Sequence, residues 1–124
     1  MSPEPPRLPI CPSDALDEGG WLKRTIVFEG RTEECLVLRH AGQVQAYLNR
    51  CVHMPRALDC EQDMIFDPSG RYLRCSMHGI IYAPDSGTSL SVMCEGERLK
   101  RVAIIEADDM ILFADHRVAL PVEG

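Results

Sequence analysis

Hydrophobic positions in this chain fall in short runs rather than in a helical period. Thr25-Ile26-Val27-Phe28 is β-branched and aromatic and closes at Gly30. Cys35-Leu36-Val37-Leu38 follows, Ala41-Gly42 supplies a turn, and Val44 to Leu48 alternates between apolar and polar. Three such runs at close spacing predict an antiparallel meander. Toward the end of the chain, Leu99 with Val102 to Ile105 predicts one strand. Asp108-Asp109 predicts a turn and Met110 to Phe113 another strand. No segment holds a 3.6-residue period over three turns, so the expected class is all-β. There are no internal repeats.

Two stretches depart from this pattern. Residues 1–20 contain Pro3, Pro5, Pro6, Pro9 and Pro12. Proline fixes φ and lacks a backbone donor, so this stretch reads as a loose lead-in without a helix or central strand. Ser13 to Leu16 predicts one helical turn with Ser13 as its cap. Residues 50–90 are rich in Cys, His, Met, Pro and Gly. Within them Met64-Ile65-Phe66 and Tyr72-Leu73-Arg74 flank the turn signal Asp67-Pro68-Ser69-Gly70, which predicts a small hairpin. Ile80-Ile81-Tyr82 predicts a further strand. The expected organisation is a lead-in over 1–20 and one domain over 21–124, with a loop-rich insertion at about 50–95.

Composition narrows the possibilities. The chain has 124 residues, 45% hydrophobic and 26% charged, which suits one domain of ordinary size. No apolar run is long enough for a membrane-spanning helix. The N-terminus lacks the basic-then-apolar order of a signal peptide, so a cytoplasmic location is expected. A net charge of −6 argues against nucleic-acid binding. It fits partners with a basic face, or solubility alone. Six cysteines in a chain without a secretion signal point to metal or redox chemistry rather than to disulfides.

The candidate chemistry sits in two short pieces, Cys51-Val52-His53 and Cys75-Ser76-Met77-His78. Each places a thiol and an imidazole on one tight segment, and these are ligands that zinc and iron–sulfur clusters both accept. Structural zinc sites of the Cys₂His₂ type usually take both cysteines from one piece and both histidines from the other. Here each piece supplies one of each. That mixed order suits a cluster of two irons in which two histidines replace two cysteines on one iron. The remaining candidates have plainer readings. Cys11, Cys35, Cys60 and Cys94 read as small buried hydrophobes, and His40 and His116 as surface residues. Met54 and Met77 either shield a cluster or fill gaps. Tyr82 is either a core aromatic or a hydroxyl donor to a cluster.

Cys51-x-His53 and Cys75-x-x-His78 resemble the ligand motif of the Rieske [2Fe–2S] proteins. Gly79 follows the second histidine, and Tyr82 stands where that family has an aromatic residue. Gly87 is similar to the glycine ending the next turn. Arg39, Gly42, Ala46-Tyr47 and Asn49 resemble the strand-turn-strand leading to the first ligand loop. Cys94-x-Gly96-x-x-Leu99 resembles the third loop and the strand after it. The resemblance spans roughly residues 10 to 115. It implies a Rieske-like antiparallel β-sandwich or barrel with a loop-rich cluster-binding insertion. It also implies one [2Fe–2S] cluster held by Cys51, His53, Cys75 and His78.

Some positions differ from the family pattern. The stretch between His53 and Cys75 is longer than the commonest spacing, and the predicted hairpin absorbs the excess at little entropic cost. The third loop reads Val92-Met93-Cys94 where Gly-Pro-Cys is frequent. High-potential members join two extra cysteines in a disulfide, and here those places are Arg56 and Met77. They also carry a serine where this chain has Ile80. Fewer hydrogen bonds to cluster sulfur leave the reduced form less stabilised. The resemblance therefore implies a disulfide-free site of potential about −150 mV or somewhat above.

The expected function is a ferredoxin-type carrier passing one electron from a reductase to an oxygenase or other terminal enzyme. Its partners are then redox proteins, with neither nucleic acid nor membrane involved. A fixed electron-transfer subunit of a larger reductase and a zinc-stabilised binding module are the alternatives. The length leaves no room for the second, iron-bearing domain of a complete ring-hydroxylating oxygenase.

Overall fold

The computed structural model describes residues 7–50, 65–74, 81–90 and 98–120. The candidate ligands Cys51, His53, Cys75 and His78 lie outside these residues, as do Met64, Gly79 and Ile80. The chain divides into two compact units, Met1–Ala46 with Val102–Gly124 and, between them, Tyr47–Arg101.

The first unit holds two antiparallel arrangements. Strands β2 (Trp21–Phe28), β3 (Arg31–His40) and β4 (Gln43–Leu48) form the predicted meander, each strand longer than its apolar run. β9 (Val118–Ala119) adds beside β2, giving the order β4-β3-β2-β9. Cys35 to Leu38 are all fully buried, which is why the interior strand reads as a continuous apolar run rather than as an alternation. The second sheet has the order β1-β8-β7, with β1 at Arg7–Pro12, β7 at Ile104–Ala107 and β8 at Met110–Ala114. Ile111 and Phe113 bury the alternate positions of β8. Burial of each such side chain is worth about 1.5–3 kcal/mol.

Three connections in this unit are two-residue hairpin turns with positive φ at both central residues. They are Glu29-Gly30 (51° and 81°), Ala41-Gly42 (54° and 77°) and Asp108-Asp109 (54° and 61°). This backbone hand matches the twist of the flanking strands, so the strands pair without splaying. The Glu18 carboxylate accepts hydrogen bonds from the Ala41 and Gly42 amides at 2.7 and 2.8 Å and so fixes the second turn. Those two amides hold the Glu18 carboxyl below its usual range.

Two polar anchors hold the sheets. Arg39 donates to the Leu16 carbonyl from Nε at 2.7 Å and to the Ser13 carbonyl from Nη2 at 3.2 Å. It also grips both Glu106 oxygens, at 3.1 and 2.6 Å. Asp115 is buried and accepts from the Ala103 amide and from the Arg117 amide, Nε and Nη2. The Arg117 guanidinium lies 4.7 Å from the Phe28 ring centroid, where its charge meets the ring face.

The structure corrects four expectations. Within the expected lead-in, residues 7–12 form an edge strand rather than loose chain. Pro9 and Pro12 are tolerated because β1 pairs only with β8, with a register shift between Pro9 and Cys11. The turn after it is a 3-10 turn, Ser13–Ala15, whose N-cap is Pro12 without a side-chain hydrogen bond, so Ser13 is not the cap. The run from Leu99 to Ile105 is not one strand: Val102 donates to Ala46, and β7 starts at Ile104. His116 is exposed, but His40 is half-buried.

Candidate metal centre

The second unit, Tyr47–Arg101, is built on a small ladder. β5 (Leu73–Arg74) and β6 (Ile81–Tyr82) pair antiparallel, Leu73 opposite Tyr82 and Arg74 opposite Ile81. Bridges extend the ladder from Phe66 to Leu73 on one side and from Tyr82 to Ser89 on the other. Phe66, Leu73, Tyr82 and Ser89 thus share one row, and all four are buried. The predicted hairpin is present: Asp67 donates to Tyr72 at 2.9 Å and Arg74 to Ile65 at 2.7 Å. Its tip is the Asp-Pro-Ser-Gly turn, where the Asp67 side chain accepts from Ser69 Oγ and from the Tyr72 amide.

The described residues that border the candidate ligand segments in sequence belong to this ladder or hydrogen-bond within the same unit. Arg74 immediately precedes Cys75, and Ile81 comes three residues after His78. Arg74 and Ile81 are ladder partners, which sets their Cα atoms about 4.5–5.5 Å apart. Arg50, the residue before Cys51, donates to the Leu48 carbonyl at 2.8 Å. Leu48 in turn donates to Lys100 at 2.9 Å. Ile65, at the far end of the stretch 51–64, accepts from Arg74 on the same ladder. Leu90 and Arg98 flank the stretch 91–97: Leu90 donates to Ile81, and Arg98 bridges Thr88.

A buried tyrosine joins two of these bordering stretches. Tyr47 is fully buried on the strand that leads to Cys51, and its hydroxyl donates to the Pro84 carbonyl at 2.6 Å. Burial pushes the phenol up to about 12, so it remains a neutral donor. The turn after β6 closes through Gly87 donating to Ala83 at 2.7 Å and Ala83 to Thr88 at 2.9 Å. Gly87 has φ of +73°, and a Cβ there would stand 2.8 Å from Tyr47 Cε1. Both facts require glycine. The sequence marks Gly87 and Tyr47 only by resemblance; their contact with each other is a product of the fold.

The electrostatics of the two units differ. Residues 47–101 contain seven Lys/Arg and seven Asp/Glu, so the whole net charge of −6 belongs to the other unit. Two cysteines lie among the described residues. Cys11 and Cys35 are free and buried in the first unit, as small hydrophobes. Burial pushes the Cys35 thiol up to about 12 and raises that of Cys11. Among the described residues no group of three metal-ligating side chains converges. Cys60 and Cys94 lie outside those residues. Tyr82 is fully buried on β6 opposite Leu73, within the core of its unit.

Residues 7–108 match the family described as the Rieske [2Fe–2S] domain. The chain belongs to that family. As a Rieske domain it is a protein of one [2Fe–2S] cluster. The ferredoxin of carbazole 1,9a-dioxygenase from Nocardioides aromaticivorans IC177 is a similar solved structure, with 20% identity and a TM-score of 0.65. The match covers 88% of this chain and 97% of that one. The terminal oxygenase of carbazole 1,9a-dioxygenase from Novosphingobium sp. KA1 is also similar, at 23% identity and a TM-score of 0.71. There 90% of this chain matches only 30% of the longer chain. A chain from an oxygenase–ferredoxin complex of carbazole 1,9a-dioxygenase matches at 19% identity and a TM-score of 0.71, over 90% of this chain and 29% of that one. At these identities the likeness is one of fold. No curated protein matches the sequence.

Two thiols and two imidazoles are the donor set of a Rieske cluster, in which the two histidines take one iron. Cys51, His53, Cys75 and His78 fit it in number and in type. Among the described residues no helix is long and apolar enough to cross a membrane.

Proposed function

We propose that Cys51, His53, Cys75 and His78 hold the cluster and that the protein is a one-electron carrier, taking its electron from a reductase and giving it to an oxygenase or other terminal enzyme. When bound, the cluster supplies a one-electron redox couple. The observation that carries this reading is the footing of the ligand segments. In sequence, Cys75 and His78 fall between the ladder partners Arg74 and Ile81, and Cys51 comes three residues after Leu48, the end of β4, which is hydrogen-bonded within the same unit. A clamp of two short segments rising from one frame needs such fixed ends. The likeness to a ferredoxin over nearly its whole length supports the carrier reading. Similar solved structures that are complexes of an oxygenase with a ferredoxin support an oxygenase as acceptor. A cytoplasmic location goes with this role.

Within the unit, this chain's own residues bind and orient. The buried row Phe66, Leu73, Tyr82 and Ser89 keeps water from the underside of the ladder. Equal numbers of positive and negative side chains leave the unit without net charge, so association at this unit depends on local charge pattern and fit more than on long-range steering. The test is an absorption and electron paramagnetic resonance spectrum of anaerobically prepared protein, with iron and acid-labile sulfide analysis. Two irons and two sulfides per chain, with a Rieske spectrum that Cys51→Ser abolishes, are expected. One zinc and no sulfide would overturn the reading. Stable copurification with a large reductase would replace the mobile carrier by a fixed subunit.

A further inference from the structure

We propose that Tyr47 is a positioning residue for the metal centre, tying the strand that leads to Cys51 to the turn that follows the His78 segment; this rests on the ligand assignment above. Tyr47 stands four positions before Cys51, on a strand whose next residue, Leu48, is hydrogen-bonded to Lys100. The carbonyl that receives its hydroxyl belongs to Pro84, two residues beyond the end of β6. The chain from β6 to Pro84, which follows the His78 segment in sequence, is thereby tied to β4, which precedes Cys51.

The contact is built for position, not for filling alone. An apolar ring of the same shape would fill the space, yet a hydroxyl is buried here, and a buried hydroxyl needs an acceptor. The acceptor it has is the Pro84 carbonyl, at 2.6 Å. The turn is shaped to admit the ring: Gly87 packs under it with no room for a Cβ, and the Gly87 carbonyl accepts from the Leu99 amide at 2.8 Å. Leu99 also approaches the Gly87 site, its Cβ 3.4 Å from where a Gly87 Cβ would be, so the ring, turn and returning chain meet at one point. Loss of the hydroxyl frees the turn to shift relative to the strand while leaving the packing in place.

The test uses the full chain with its cluster. In Tyr47→Phe the rate of iron release to a chelator should rise about fivefold, the effect of one net hydrogen bond. The g-values and the midpoint potential should also move away from the wild-type values. Gly87→Ala, which drives a methyl into the Tyr47 ring, should change all three in a larger measure. Asp115→Asn serves as the control, since it weakens the other unit. Its spectrum and potential should coincide with the wild type. If Tyr47→Phe and Gly87→Ala give wild-type g-values and potential, and their release rates follow overall stability as in Asp115→Asn, the positioning role is overturned and the ligand assignment stands. If the wild-type protein binds no iron and sulfide, both fall together.

Discussion

Replacing Asp115 with asparagine isolates the polar anchor of the first unit. All four groups that face this carboxylate are donors: the Ala103 and Arg117 amides and two nitrogens of the Arg117 guanidinium. An asparagine amide turns an NH₂ toward one pair of them whichever way it flips, so at least one donor loses its acceptor. Arg117 and the backbone amides hold the Asp115 carboxyl down from 3.8 to about 2. The difference corresponds to at most about 2 kcal/mol at neutral pH. The Asp115 side chain is 5% exposed but its partner Arg117 is 42% exposed, so solvent screens part of this. Because the folded-state value is depressed, the stabilisation is complete above the unfolded value. It decays as pH falls through the folded one. It should be roughly halved at pH 3 and mostly gone at pH 2. Urea unfolding of wild type and Asp115→Asn across pH 7 to 2 reads this directly, with a midpoint shift of roughly 1 M at pH 7. A stability gap that stays constant down to pH 2 would refute the argument, because it would mean that the carboxylate's charge plays no part.

Three further outcomes follow from the geometry. Ala41→Asn should raise stability by about 0.5–1 kcal/mol, since Ala41 sits at a φ of +54° that asparagine tolerates better and Asn-Gly is the preferred pair for this turn; an unchanged unfolding midpoint would count against it. Glu18→Gln should speed amide hydrogen exchange at Ala41 and Gly42 at neutral pH. That difference should vanish as pH falls through the lowered Glu18 value, because protonation removes the same charge. Cys35 should resist alkylation in the folded protein at pH 8, where a thiol held at about 12 is thiolate in about one molecule in ten thousand. Peptide mass mapping after iodoacetamide treatment reads this, and rapid labelling would contradict the burial.

Local rules reached the strands and turns of this chain because those are local events. Gly30, Gly42 and the Asp108-Asp109 pair stop one strand and start the next within two residues, and β-branched runs between them carry the pairing. The Asp67–Gly70 turn was legible for the same reason, since the Asp67 side chain closes on Ser69 and Tyr72 a few positions away. What stayed hidden depends on distant partners. Pro9 gives no sign of the β8 edge that accepts it. Val102 reads as part of a strand with Ile104, yet its amide goes to Ala46. Arg39 stands out in the sequence only by resemblance, and nothing nearby in sequence shows Glu106 or the Leu16 carbonyl. For the proposed metal centre, the candidate donors and their mixed order were readable from the chain. The tie between Tyr47 and Pro84 was not, because it joins residues far apart through a hydroxyl whose acceptor is a backbone atom.

Tyr47 and Arg101 form a single bridge, and they are the first and last residues of the second unit. Ala46 and Val102, which flank them, are likewise hydrogen-bonded to each other at 2.9 Å. One antiparallel bridge therefore holds the two ends of the stretch 47–101 side by side. The stretch costs loop-closure entropy once, at that bridge, so a length change in an exposed turn such as Asp67–Gly70 adds little to it.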